Sequence, residues 1–216
     1  MLFLLGTALP AAADSERWQG WSIGLSAGAG AFVWNTNTLD ASTGDTTNID
    51  GAGGEGVLGD VFVAYDHVVH GNFVLGTQFE ATYADVKLSG TSTDAAGVTT
   101  TEWGPERMFS VLGRVGYIVN PSTLFYGLVG WTNANFELDW KTTDPTASPG
   151  GAVGSDHNGL SLGVGLQTFV AENTSIRAEY RFTEFDTFTY SDPSNGDTTS
   201  LDPSMHVGRI AVVFHH

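Results

Sequence analysis

The sequence predicts an all-β chain: an eight-stranded antiparallel up-and-down β-barrel that crosses a membrane. Three observations predict it. Apolar and polar residues alternate with a period of two in run after run, and no long helical pattern appears. The connections between these runs are long and short in strict alternation, as in a meander with all long loops at one end. The polar side of the alternation is built from glycine, serine and a few charges of both signs, which is too small and too sparsely charged for a face in water.

Glycine, aromatics and Asp/Thr/Ser clusters recur throughout the 216 residues, so a single domain is expected. No cysteine is present, which excludes disulfides and thiolate metal sites. The 24 acidic residues outnumber 8 Lys+Arg, for a formal charge of −16. Nucleic acid is therefore not an expected partner, since phosphate contacts need clustered Lys and Arg. Residues 1–13 form an apolar run ending in Ala11-Ala12-Ala13, which reads as a signal peptide, leaving 14–216 as the barrel domain. A buried N-terminal helix is the alternative. No later stretch has the ~18 apolar residues of a membrane helix.

The first strand, "GWSIGLSAGAGAFVW", sets Trp21, Ile23, Leu25, Ala27, Ala29, Ala31 and Val33 against Ser22, Gly24, Ser26, Gly28 and Gly30. The second sets Val57, Val61, Val63 and Tyr65 against Asp60, Phe62 and Ala64. The third sets Phe73, Leu75, Phe79 and Tyr83 against Gly76, Gln78, Glu80 and Thr82. In the fourth, Phe109, Val111, Val115 and Tyr117 oppose Ser110, Arg114 and Gly116. The fifth, "LFYGLVGWTNANFELDW", is ambiguous in phase at its start. Its apolar face is read as Tyr126, Leu128, Ala134, Phe136, Leu138 and Trp140, with Glu137 and Asp139 opposite. The sixth alternates Leu160, Leu162, Val164 and Leu166 with Gly, Ser and Gln167. "SIRAEYRF" gives Ile176, Ala178, Tyr180 and Phe182 against Arg177, Glu179 and Arg181. The last strand sets Ile210, Val212 and Phe214 against Arg209. Residues 35–55, 88–102, 141–157 and 187–203 are the long polar connections. The short ones lie near Asp66–Gly71, Asn120–Thr123 and Ala171–Asn173.

A soluble barrel would turn the apolar face inward. Here the opposite assignment is expected. Small residues relieve crowding in a narrow eight-stranded lumen, and the charges Asp60, Glu80, Arg114, Glu137, Arg177, Glu179, Arg181 and Arg209 would pair there as an ion network that plugs the pore. The apolar faces would meet lipid. Trp34, Trp103, Trp140 and Phe185 would form one aromatic belt near the long loops; Phe73, Tyr117 and Tyr126 would form the other near the short turns. Runs of 9–11 residues cross hydrocarbon at about 45° tilt, and closure pairs every backbone group.

"GRVGYIVNPSTLFYGLVGW" (113–131), "IRAEYRFTEFD" (176–186), "VLGTQFEATYAD" and "HVGRIAVVF" together resemble the small outer-membrane β-barrels of alphaproteobacteria, relatives of the opacity-type surface antigens. The resemblance implies location in the outer membrane of a Gram-negative bacterium, long loops outside the cell, short turns in the periplasm, and a terminal aromatic, Phe214, read by the barrel-insertion machinery. His215 and His216 follow that aromatic, unlike the family pattern.

Other chemistry is weakly signalled. His157 and His206 lie near the long-loop end with Ser155, Ser161 and Ser204 close in sequence, the ingredients of a nucleophilic site, but the interfacial polar reading accounts for them. His67 and His70 flank a turn without an evident third ligand, so neither a metal nor a cofactor is expected. The expectation is a non-enzymatic monomer with a structural and surface-interaction role. Its partners would be lipid and lipopolysaccharide, with divalent cations at the acidic loops. A narrow pore and a lipid A-modifying enzyme are the alternatives.

Overall fold

The computed structural model describes residues 16–69, 71–93, 97–143, 150–191 and 196–216; residues 1–13, expected as a signal peptide, and His70 lie outside them. Nine strands form one antiparallel sheet that closes on itself. They are β1 (Gly20–Leu39), β2 (Thr46–Val69), β3 (Phe73–Thr93), β4 (Val98–Asn120), β5 (Thr123–Thr142), β6 (Gly150–Ala171), β7 (Thr174–Phe185), β8 (Phe188–Ser191) and β9 (Thr198–His215). Sequential neighbours pair, and β1 pairs with β9 from Ser22↔His215 to Leu39↔Thr198, which closes a ring of eight. The four-residue β8 adds only to the upper part of β9. The fold class is therefore as expected, with Gly71 supplying a positive φ of 77° at the β2–β3 turn.

The long connections differ from expectation. Most of 35–55, 88–102, 141–157 and 187–203 is strand, because these Thr-rich stretches continue ladders already started below them. Ring closure is lost on the way up. Pairing of β2 with β3 ends at Glu55↔Lys87, and that of β6 with β7 ends at Gly159↔Phe185. Above those points β8-β9-β1-β2 stay paired with one another, as do β3-β4-β5-β6. The rim therefore divides into two four-stranded lips.

Inside, the ring is filled in three layers. At the short-turn end Trp18, Val74, Leu112, Ile118, Leu124 and Leu128 pack together. Trp18 arrives from the turn Glu16–Trp18, its indole N–H donating to the Pro121 carbonyl and its ring 4.6 Å from Phe169. At the long-hairpin end Phe32, Trp34, Leu58, Met108, Phe136 and Phe185 form a second apolar cluster, with Trp103 and Phe188 packed on it. Charged and amide side chains lie between.

The alternation reverses where the strands leave hydrocarbon. Above the membrane the outer face meets water, so apolar side chains turn inward. Trp34, Trp103 and Phe185, expected as a lipid-facing belt, are instead inside: Trp34 and Trp103 touch edge-on at 4.8 Å across the two lips, and Phe185 meets Phe136 at 5.2 Å. Trp140 lies half-buried over Gly151 on the same side of β5 as Phe136. Glu137, expected in the lumen, lies on the outside of β5 for the same reason. Tyr126 and Leu128, expected on the outer apolar face of β5, point into the lumen, and Phe125, Val129 and Trp131 face lipid instead. Phe73 and Tyr117 do face lipid, paired at 5.3 Å, with Trp21, Tyr65 and Phe125 at the same end. Tyr83, Phe109 and Trp131 are the exposed aromatics of the upper end.

Large lumen side chains lie across glycines of the next strand. A Cβ on Gly165 would sit 2.2 Å from the Tyr126 hydroxyl, and one on Gly76 would sit 1.9 Å from an Asp66 carboxylate oxygen. Gly165→Leu is thus expected to abolish the heat-modifiable, compact band on a cold detergent gel that the native protein gives, whereas Leu162→Ala on the lipid side of the same strand keeps it. Retention of the compact band by Gly165→Leu overturns this packing.

Candidate functional site: an ion-pair network in the lumen

The β2, β3, β7 and β9 strands bring Asp60, Glu80, Glu179, Arg181 and Arg209 to one level. All point inward because each shares its strand's parity with the small residues. Arg181 grips Glu80 with both terminal nitrogens, Nη1 to Oε1 at 2.7 Å and Nη2 to Oε2 at 3.0 Å, and Nη2 also donates to Glu179 at 2.7 Å. Arg209 Nη1 donates to Glu80 at 2.9 Å and to Asp60 at 2.8 Å. Asp60 in turn accepts from the Ser26 hydroxyl of β1. Gln78 and Thr82 donate to the two oxygens of Glu80, so that carboxylate is bonded on every side.

Nearer the turns, Arg114 pairs with Asp66 at 3.0 Å and donates to Gln167 at 3.3 Å. Arg177, only 1% exposed, has no carboxylate in hydrogen-bond reach among the described residues. It donates to Gln167 and Gln78, and its guanidinium lies 4.5 Å over the Phe62 ring and 5.4 Å from the Tyr126 ring. The Tyr126 hydroxyl donates to Glu179 at 2.7 Å. A chain of hydroxyls, Ser110, Thr132, Ser161 and Thr183, crosses β4 to β7 at 2.7–2.9 Å spacing.

The described lumen residues thus include four arginines and four buried carboxylates, Asp60, Asp66, Glu80 and Glu179, with Arg177 held by amides and ring faces instead of a carboxylate. Of the residues expected in the network, Asp60, Glu80, Arg114, Arg177, Glu179, Arg181 and Arg209 are placed in the lumen, and Glu137 is not. Asp66 and Tyr126 were missed. Asp66 lies six residues beyond Asp60 on the same face of β2, a spacing that places it in the lumen had the strand not been ended there.

The serine and histidine candidates do not converge. Ser161 belongs to the hydroxyl chain, and Ser204 donates weakly to the Val33 carbonyl. Ser155 and His157 are 2.9 Å apart at the mouth, with His157 stacked on Phe188 at 3.5 Å. No carboxylate accepts a hydrogen bond from His157 among the described residues, and no group of three or more metal-ligating side chains occurs among them.

Removing one partner from a desolvated, hydrogen-bonded pair leaves the other charge stranded, which costs about 3–5 kcal/mol. Arg181→Met is expected to lower unfolding stability in lipid vesicles by that order, and Glu80→Gln likewise, since it strands Arg181 and Arg209 and turns an amide NH2 toward their donors. A loss below about 1 kcal/mol in urea titrations of Arg181→Met refutes the network's structural role. Burial holds the His157 ring below its ordinary value of 6.5, outweighing the pull of Asp186 and Asp156. Neutral His157 is thus favoured by the fold, so its contribution is whole above about pH 6.5 and is lost as pH falls through the lowered value. Amide exchange in 188–191 is expected to quicken as pH falls over that range, after correction for intrinsic rates, and His157→Phe should flatten that response.

Comparison with known proteins agrees with this architecture. The family described as "Outer membrane protein beta-barrel domain" matches residues 1–206. The "22 kDa outer membrane protein" of Rhizobium leguminosarum bv. viciae is 28% identical over 197 residues, spanning 91% of this chain and 78% of that one. Among solved structures, the outer membrane protein OprG of Pseudomonas aeruginosa superposes with a TM-score of 0.53 at 11% identity, covering 93% of this chain and 98% of its own. The outer membrane protease OmpT of Escherichia coli gives 0.53 at 8% identity, covering 92% and 97%. At such identities the likeness shows the fold alone. The chain belongs to the outer-membrane β-barrel family, among the small barrels of alphaproteobacteria, and resides in the outer membrane of a Gram-negative bacterium.

Proposed function

We propose that this barrel is a non-enzymatic, non-conducting element of the envelope that presents an acidic, two-lipped rim to partners outside the cell. One observation carries the reading: the lumen is an ion network whose charges balance, capped above and below by apolar clusters. An aqueous path needs a continuous wet column, and dry layers at both ends oppose one. Eight strands leave an interior only wide enough for side chains, and here those side chains are large.

The rim suits adhesion rather than catalysis. Asp50, Asp139 and Asp156 lie on exposed or half-buried strand surface, Asp45 is exposed just before β2, and strand edges stand free where the lips part. In this reading such carboxylates share divalent cations with lipopolysaccharide phosphates. Phe214 is exposed on the lipid side of β9 opposite Ile23 of β1, and the reading makes it the aromatic that the insertion machinery recognises. The alternative enzymatic reading has the Ser155–His157 contact as its foothold, where no carboxylate among the described residues accepts a hydrogen bond from His157.

Planar-bilayer recording tests the main reading. The native protein is expected to give no discrete conductance steps, and a Phe32→Ala/Phe136→Ala variant that thins the upper cap is expected to give small ones. Steps from the native protein favour the narrow-pore alternative. Release of fatty acid from lipid A, lost in Ser155→Ala, favours the enzymatic one.

A further inference from the structure

We propose that the lipid-facing wall formed by β7, β9, β1 and β2 holds a specific site for an acylated amino sugar of the outer leaflet, with Tyr180 and His206 as its polar head. The inference goes beyond the envelope role and does not depend on the lumen.

An ionisable side chain on the lipid side of a barrel is costly unless something there engages it. His206 is such a residue: it is exposed on the outer face of β9, its Nδ1 lies 2.7 Å from the Tyr180 hydroxyl, and its ring lies 4.9 Å from Phe182. With Tyr180 donating to Nδ1, the neutral ring carries its hydrogen on Nε2, which has no partner among the described residues. His206 stands eight residues above Phe214 on β9. At about 3.3 Å per residue and about 40° of tilt, that is about 20 Å up a band about 25 Å tall. Acyl chains join their ester and amide linkages at this height.

Below the pair runs a groove of about 450 Å³, floored by Ala29, Ala31 and Gly208 and walled by Val57 and Tyr180. It continues between Tyr180 and Ile210 over Ala27 and Ala178, where a further recess of about 500 Å³ lies. Nearer the periplasm Ile23, Leu25 and Val212 stand out from the same wall. The recess thus occupies the outer-leaflet half, where a chain entering from the outer surface would lie.

Gly208 sharpens the point. A Cβ there would meet nothing within 4 Å, unlike the lumen glycines, where one would strike a neighbour. Glycine inside a strand weakens it, and packing within this chain gives no reason for glycine at 208. Space kept on the lipid side gives one.

The head chemistry selects among lipids. Across Ala31 from His206 sits Glu55, since Ala31 pairs with both. The imidazole N–H matches an acyl carbonyl, and the carboxylate accepts from a sugar hydroxyl or amide N–H lying beside that carbonyl, donors that a glycerophospholipid lacks at its acyl linkages. That set fits a hydroxyl-bearing acylated sugar, as in lipid A, better than a glycerophospholipid.

The test is retention of added lipid A by the purified full chain in detergent, measured by native mass spectrometry, with phosphatidylethanolamine as the competing probe. The native protein is expected to hold lipid A at least tenfold more tightly than phosphatidylethanolamine. His206→Phe should reduce that preference about tenfold, and Gly208→Leu should abolish it. Val111→Leu, on the opposite wall, should leave it unchanged. The heat-modifiable gel band reports folding of each variant; Ala29→Leu fills the same groove from β1 if Gly208→Leu does not fold. Equal retention of the two lipids by the native protein, or an unchanged preference in both His206→Phe and the groove-filling variant, overturns the proposal.

Discussion

The structure depends on Glu80. Its carboxylate holds Arg181 with two bonds and Arg209 with one, and Gln78 and Thr82 complete its shell. From those two arginines the network reaches Asp60 and Ser26 on β2 and β1, and Glu179, which takes the Tyr126 hydroxyl of β5. Through Gln78, Arg177 and Gln167 it reaches β6 and then Arg114 on β4. Every strand of the ring contributes a side chain. A one-residue slip of any strand would move its contribution to lipid and leave unpaired charges behind, so the network penalises every wrong register at once. Bonds of this kind contribute little to stability over an apolar core of equal volume, but they discriminate strongly between one closed ring and its neighbours in register.

The apolar caps make that discrimination possible. Charges in water gain about 1 kcal/mol from a partner at 4 Å, and several times more where water is kept away. Trp18 below and Phe32, Trp34 and Phe136 above cover the middle layer with apolar surface. Conversely, without the ionic layer the lumen would be uniformly apolar and the alternation of each strand would carry no instruction about its inner face. The turn Glu16–Trp18 is part of this device, with Arg17 donating to the carbonyls of Ala171 and Glu172 while Trp18 enters the mouth.

Within hydrocarbon the strands were readable from alternation alone, because one face meets lipid, the other a crowded lumen, and each solvent imposes its own residue types. SIRAEYRF is the clearest instance, with Arg177, Glu179 and Arg181 inside and Ile176 and Tyr180 outside. Above the band the same alternation means the reverse, since water replaces lipid on the outer face. Phe136 and Glu137 look like a continuation of the lipid-facing pattern and are its inversion. Nothing in a period of two marks the height at which the outer solvent changes, so Trp34, Trp103 and Phe185 were assigned to the wrong side. Tyr126 failed for a different reason: an aromatic whose hydroxyl finds a buried carboxylate is as content in the lumen as at the membrane surface. The partners of each arginine were not readable either, because stagger in a closed sheet sets which strands meet at one level.

Glycine shows how the two faces obey different constraints. In the lumen it answers a neighbour within the chain: Gly165 yields to Tyr126, Gly76 to Asp66, Gly24 to the Phe62 ring that stacks beneath Arg177. Such positions are explained once the interior is packed. On the lipid side Gly208 answers no neighbour, and it lies beside a hydrogen-bonded tyrosine and histidine that hydrocarbon alone does not favour. A wall selected only for immersion would be filled with Val, Leu and Phe, as β3 to β6 largely are. Recesses also lie over Gly113 and Gly127 on the far wall, but they are lined by Leu75, Val115, Val129, Leu162 and Val164; on the β7-β9-β1-β2 wall shape and chemistry depart together, and both departures have the same remedy: a lipid whose chain fills the groove and whose head meets His206.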